Sequence, residues 1–148
     1  MTTSAPLPPV RREVLVAGDP ATAFRLWVKE IGRWWPLQSH SVFGADGRVE
    51  FRGDDIVEYS PDGEESIWGT VIVRDAPRRL GFTWHPGRGP DQATYVEVHF
   101  DPTADAGHSL VTLEHSGWEA YADPEESRED YDVGWPKVMG HYADMFTE

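Results

Sequence analysis

The chain has 148 residues, enough for one domain, and its 39% apolar and 26% charged residues support a packed core. Thirteen Lys and Arg stand against 26 Asp and Glu, a formal charge of -13 that opposes phosphate backbones and anionic membrane surfaces, so nucleic acid is not an expected partner. Cysteine is absent, which removes disulfides, thiolate nucleophiles and Cys-type zinc sites, and no apolar run approaches the ~20 residues of a membrane span.

Residues 1–9, with Pro6, Pro8 and Pro9, predict a flexible or extended lead-in to a single domain over residues 10–148. The start MTTSAPLPPV has neither a basic segment nor an apolar one of the secretory kind, so the expected setting is cytoplasmic, without membrane insertion. Val10, Arg12, Val14 and Val16 alternate with Arg11, Glu13 and Leu15, the period of a strand. Asp19 before Pro20 is an N-cap signal followed by Pro at the first helical position. The helix it opens carries the stripe Ala23, Phe24, Trp27, Val28 and Ile31, with Gly32 expected to interrupt it and Trp34-Trp35-Pro36 to end it.

A polar loop follows over residues 37–47, closing at Ala45-Asp46-Gly47. Six short strand patterns come next: Val49–Phe51, Ile56–Tyr59, Ile67–Arg74, Arg79–Trp84, Thr94–Phe100 and Leu110–His115. Pro, Gly and Asp turn signals separate them, which suggests one curled antiparallel sheet. Residues 119–132 are rich in acids that favour the start of a helix. Trp135, Val138, Met139, Tyr142, Met145 and Phe146 then fall on one helical stripe. Pro136 marks either the first turn of that final segment or a kink.

The predicted architecture is α+β: a curved antiparallel sheet of about six or seven strands around a long C-terminal helix, with a short helical pair after the first strand. Strand alternation places Thr94, Val96, Val98 and Phe100 inward, and likewise Val111, Leu113 and His115, and Leu80, Phe82 and Trp84. Trp68 falls on the opposite face to Val71 and Val73, or at a rim, and the assigned inward faces hold no carboxylate. Rings on both sides of such a sheet-and-helix layer form either a bulky core or a hydrophobic cavity, and in the second case Phe51, Trp84, His115, Trp135, Met139 and Tyr142 are the candidate ligand-binding residues.

His115 has two readings: a hydrogen-bonding or proton-transfer group at the cavity wall, or a core histidine satisfied by a carbonyl or hydroxyl. His85, beside Pro86, either guards a loop mouth or is an ordinary surface histidine. The six histidines include no short-spaced pair, and the acid run lacks the alternation and turn glycine of a calcium loop, so no metal is expected. G-x-S-x-G, G-x-G-x-x-G and Walker-type loops are absent, and no cofactor or catalytic set is demanded. A sheet edge or a surface Trp such as Trp68 or Trp118 would support a homodimer.

Several segments in order carry a resemblance: Asp19-Pro20 with Ala23-Phe24, Trp34-Trp35-Pro36, Trp68-Gly69-Thr70-Val71, Pro77-Arg78-Arg79-Leu80 with Phe82-Thr83-Trp84, Val111 through Trp118, and Gly134-Trp135-Pro136. Over roughly residues 10–147 the chain resembles the START-like (SRPBCC) superfamily with its helix-grip fold. Within it, the chain is similar to the branch homologous to the C-terminal domain of the activator of heat-shock protein 90 ATPase. The resemblance implies a sheet-to-helix cavity that binds a small hydrophobic or aromatic molecule. It leaves open a co-chaperone-like interaction module and a cyclase-like enzyme using the same cavity.

Overall fold

In the computed structural model the described residues are 7–37, 40–44, 46–105 and 107–146. Strand β1 (Val10–Val16) leads to helix α1 (Pro20–Lys29) and the single turn α2 (Ile31–Trp34). Six strands follow: β2 (Arg48–Arg52), β3 (Asp55–Tyr59), β4 (Glu65–Asp75), β5 (Arg79–Trp84), β6 (Thr94–Pro102) and β7 (Ser109–Ser116). Helix α3 (Pro124–Asp144) closes the chain. The seven strands form one antiparallel sheet in the order β1-β7-β6-β5-β4-β3-β2, so the first strand returns beside the last. This is the predicted α+β helix-grip arrangement.

Local chemistry accounts for these elements. The Asp19 carboxylate accepts the Thr22 backbone N–H at 2.8 Å, and that bond holds its carboxyl below the usual carboxylate range. Ala23, Phe24, Trp27 and Val28 turn their common face to the sheet, where Phe24 and Trp27 meet Phe100 edge-on at 5.3 and 6.3 Å. The helical break falls at Glu30, whose backbone φ of -116° leaves the helical region, and not at Gly32, which lies inside α2. Along β5, β6 and β7 the alternation is as predicted, and Leu80, Val98, Phe100, Val111, Leu113 and His115 have no exposed surface.

Two readings need correction, and one burial is unexpected. Trp68 is 1% exposed and faces the core. Val57 pairs with Ile67 and Ile56 with Gly69, so Trp68 is the extra residue of a bulge, and the strict two-residue period slips there. Trp118 is also 1% exposed, so neither tryptophan offers a surface for self-association. Glu58, in β3, is fully buried, although an acid in a strand pattern reads as solvent-facing.

Helix α3 runs continuously through Pro136. A proline at 136 has no N–H for the carbonyl of Asp132, and the Arg12 guanidinium fills that place, donating to the carbonyl at 3.1 Å and also to the Asp132 carboxylate. One turn earlier, Arg128 donates to the carbonyls of Pro8 and Pro9 at 2.7 and 3.3 Å. Leu7 packs against the core. The rest of the expected lead-in, residues 1–6, lies outside the described residues, as does Ala45 of the predicted turn. No helix among the described residues is long and apolar enough to cross a membrane.

Candidate functional site

The main opening into the aromatic interior is a cleft of about 370 Å³ between the first half of α3, the segment after α2 and the turn after β5. Its apolar walls are Trp35, Trp84, Tyr131, Trp135 and Val138, and its polar groups are His40, Arg88, Ser127 and Asp130. An adjoining space of about 210 Å³ shares Trp35, His40, Trp84 and Tyr131 and extends toward Ser41 and Trp68.

The wall is a connected set of rings. Trp84 lies 5.6 Å from Trp135 and 5.7 Å from Trp35, and Trp35 meets Trp135 edge-on at 6.0 Å. Trp84 donates its indole N–H to the Tyr131 hydroxyl at 3.2 Å, and burial raises the Tyr131 phenol above its ordinary range. Tyr131 stacks on Trp135 at 6.1 Å. Large rings with defined rotamers make a stiff apolar wall, and their edges place few but oriented polar atoms on it.

Beneath the wall, hydrogen bonds fix the histidine tautomer. The Trp135 indole N–H donates to His115 Nδ1 at 3.0 Å. Because an indole N–H only donates, Nδ1 accepts and Nε2 carries the proton, donating to Thr94 Oγ1 at 2.6 Å. Thr94 in turn donates to the carbonyl of Trp84 at 3.0 Å. Burial pushes the His115 imidazole down to about 3, so it stays neutral at physiological pH. Its ring packs against Trp118 at 4.1 Å and meets Tyr131 edge-on at 4.6 Å. His115 thus ties β7, β6 and α3 together directly behind two cleft residues.

The loop wall has its own anchor. Glu58 Oε1 accepts the Val42 N–H at 2.7 Å and the Trp68 indole N–H at 3.1 Å, and Oε2 accepts the Phe43 N–H at 3.0 Å. The Trp35 indole donates to the carbonyl of His40 at 2.6 Å. His85 is 4% exposed, neither at the surface nor on the main cleft. Its Nδ1–H donates to the carbonyl of Arg88 at 3.0 Å, which closes the turn over Pro86 and Gly87.

Of the six candidate residues, Trp84 and Trp135 border the cleft, each only 2% exposed. His115, Met139 and Tyr142 are buried behind it, the last donating to the carbonyl of Ala23 at 2.6 Å. Phe51 lines a separate, more polar hollow with Lys29, Asp54 and Arg74. The sequence reading passed over Tyr131, His40, Arg88 and Asp130 as site residues. Tyr131 was within reach, since 131, 135 and 138 share one helical face. Among the described residues, no group of three or more His, Asp or Glu is placed to hold a metal ion.

A curved sheet gripping a C-terminal helix, with an aromatic cleft at one end, defines the helix-grip class of small domains. Residues 18–146 match the family described as Activator of Hsp90 ATPase homolog 1-like protein, and the chain belongs to that family. No curated protein matches it in sequence. Among solved structures it is similar to protein MLL2253 from Mesorhizobium loti, with a TM-score of 0.65 and 15% identity over 92% of this chain and 94% of that one. XoxI from Bacillus cereus gives a TM-score of 0.65 and 13% identity over 96% and 97%. Txn09, an anthrahydroquino-gamma-pyrone synthase, gives a TM-score of 0.63 and 25% identity over 94% and 97%.

Proposed function

We propose that this protein binds a small hydrophobic, aromatic molecule in the cleft between α3 and the rings of β5. The observation that carries this reading is the cleft itself. Its volume of about 370 Å³ falls within the ~300–1,000 Å³ of small-molecule sites. Its walls combine four large rings with polar groups contributed by α3, the segment after α2 and the turn after β5, so it offers both apolar contact and oriented polar partners. Trp84, Trp135 and Tyr131 contact the guest, while His115, Met139 and Tyr142 act from behind by holding the wall in place.

The similarity to Txn09 favours a second reading, in which the same cleft holds a reactive substrate in a productive shape, as a cyclase does. His115 is poorly suited to shuttle a proton in it, because both ring nitrogens are engaged and the ring is buried. His40 and Asp130, at the cleft, are the groups that would serve. The family's name also keeps a protein-interaction role in view.

Native mass spectrometry of the purified chain, followed by titration of tryptophan emission with 2-naphthol, tests the reading. A bound small molecule, or saturable quenching with a rise in melting temperature, is the expected result. Asp130→Trp, a cleft-filling change at an exposed helical position, should abolish the quenching without lowering the melting temperature. A chain that carries no guest, shows no quenching and captures one stable protein partner instead would sink it.

A further inference from the structure

The cleft does not share the acidic excess of the molecule. Acids outnumber bases 26 to 13 in the chain, yet the cleft sets one guanidinium, Arg88, against one acid, Asp130. His40, the other titratable group of the cleft, is held toward its neutral form by burial and then by the nearby Lys137 and His141.

Arg88 is the group best placed to receive an anion there. Its backbone is held at both ends of the turn: its N–H donates to the carbonyl of His85 at 2.8 Å, and its carbonyl accepts from His85 Nδ1 at 3.0 Å. Between them Gly87 has a φ of +74°, which a side-chain-bearing residue rarely adopts. The guanidinium carbon sits over the Tyr121 ring, 4.0 Å from its centre. This cation–π contact holds the group without using a hydrogen-bond acceptor, so its N–H donors remain for a ligand. Among the described residues no carboxylate lies within 4.0 Å of Arg88, whereas Arg11, Arg12, Arg48, Arg52 and Arg74 each meet one. A positioned guanidinium without a carboxylate, beside an aromatic slot, matches the planar fork that binds a ligand carboxylate through two parallel hydrogen bonds.

We propose that the cleft selects an aromatic carboxylic acid, with its rings against Trp84, Tyr131 and Trp135 and its carboxylate on Arg88. This rests on the ligand-binding reading above and adds the class of ligand. Asp130 acts against it, as a repulsive group that moderates the affinity.

The test compares 2-naphthoate with its uncharged counterpart 2-naphthamide on the full chain, by fluorescence titration at low salt. The acid is expected to bind about tenfold more tightly, a typical factor for a charge-assisted hydrogen-bonded pair, and added salt should narrow the gap. Arg88→Gln should bring the acid down to the level of the amide, Arg88→Lys should keep part of the preference, and Asp130→Asn should widen it. Equal binding of both probes by the unaltered chain overturns the proposal while leaving the aromatic cleft intact. So does an equal loss for both probes in Arg88→Gln, which would make Arg88 only a wall. If neither probe binds and no guest is found by native mass spectrometry, the ligand-binding reading itself fails.

Discussion

Replacing Glu58 with Gln probes the device that holds the loop wall of the cleft. Both carboxylate oxygens act as acceptors, for two backbone amides of the loop and the Trp68 indole. A Gln of the same shape can keep its oxygen toward Val42 and Trp68, which both meet Oε1. Its NH2 then faces the Phe43 N–H, donor against donor. One charge-assisted bond is lost, a buried donor is left unsatisfied, and two bonds fall to neutral strength, a loss of roughly 2–5 kcal/mol. Burying a neutral amide in place of a carboxylate returns part of that, leaving a net cost of about 2 kcal/mol. For a chain near 150 residues that is a fall of about 4–8 °C in melting temperature. Near-ultraviolet circular dichroism reads the melt, and hydrogen exchange at the Val42 and Phe43 amides localises it. A variant that melts within about 1 °C of the parent, with both amides still protected, would refute the idea that this buried acid holds the loop.

Four further outcomes follow from the packing. The imidazole of His115, held at about 3 in the fold, takes up its proton near the ordinary 6.5 once unfolded. Stability contributed by its neutral form is therefore complete above about pH 7.5 and lost as the pH falls below 6.5, reaching about 2 kcal/mol by pH 5. Urea titrations across that range should show a shallower slope in His115→Asn, and identical slopes would overturn this assignment. Arg12→Met should cost about 1–3 kcal/mol by uncapping the Asp132 carbonyl, and about 1 kcal/mol less in a Pro136→Ala background, where a backbone N–H returns. Strict additivity in the double-mutant cycle would contradict the capping role. Gly69→Ala should prevent folding, or cost more than about 4 kcal/mol, because its Cβ would fall 1.7 Å from the carbonyl oxygen of Thr83. Gly140→Ala, in α3 with no neighbour within 4 Å, should instead stabilise by about 0.5–1 kcal/mol, and a chemical melt of each variant decides.

The fold was legible where one face of each element is apolar. Val96 to Phe100 and Val111 to His115 could take only one register without exposing the core, and Asp19-Pro20 marked a helix start that the Thr22 bond realises. Legibility failed wherever a distant segment supplied the missing partner. Glu58 is buried because residues 42–43, sixteen and fifteen positions away, bring it two amides, which no local pattern encodes. Pro136 continues its helix because Arg12, 120 residues before Asp132, arrives to satisfy the Asp132 carbonyl. Trp68 turned inward through a bulge, and a period-two reading has no place for an extra residue. Half of the cleft was similarly hidden, since Tyr131 sat within an acidic run and Arg88 in a Pro/Gly loop that carried no periodicity at all.

The two sides of the cleft differ in compliance. On one side, Arg12 and Arg128 stitch successive turns of α3 to the N-terminal strand and the prolines before it, close to the helical face that carries Tyr131 and Trp135. Facing it is a short irregular stretch pinned chiefly through a single acid. A bulky visitor would therefore find a fixed jaw and a yielding one. Widening should come from displacement around residues 40–43, and the groups there, rather than the helix, would decide how large an occupant is admitted.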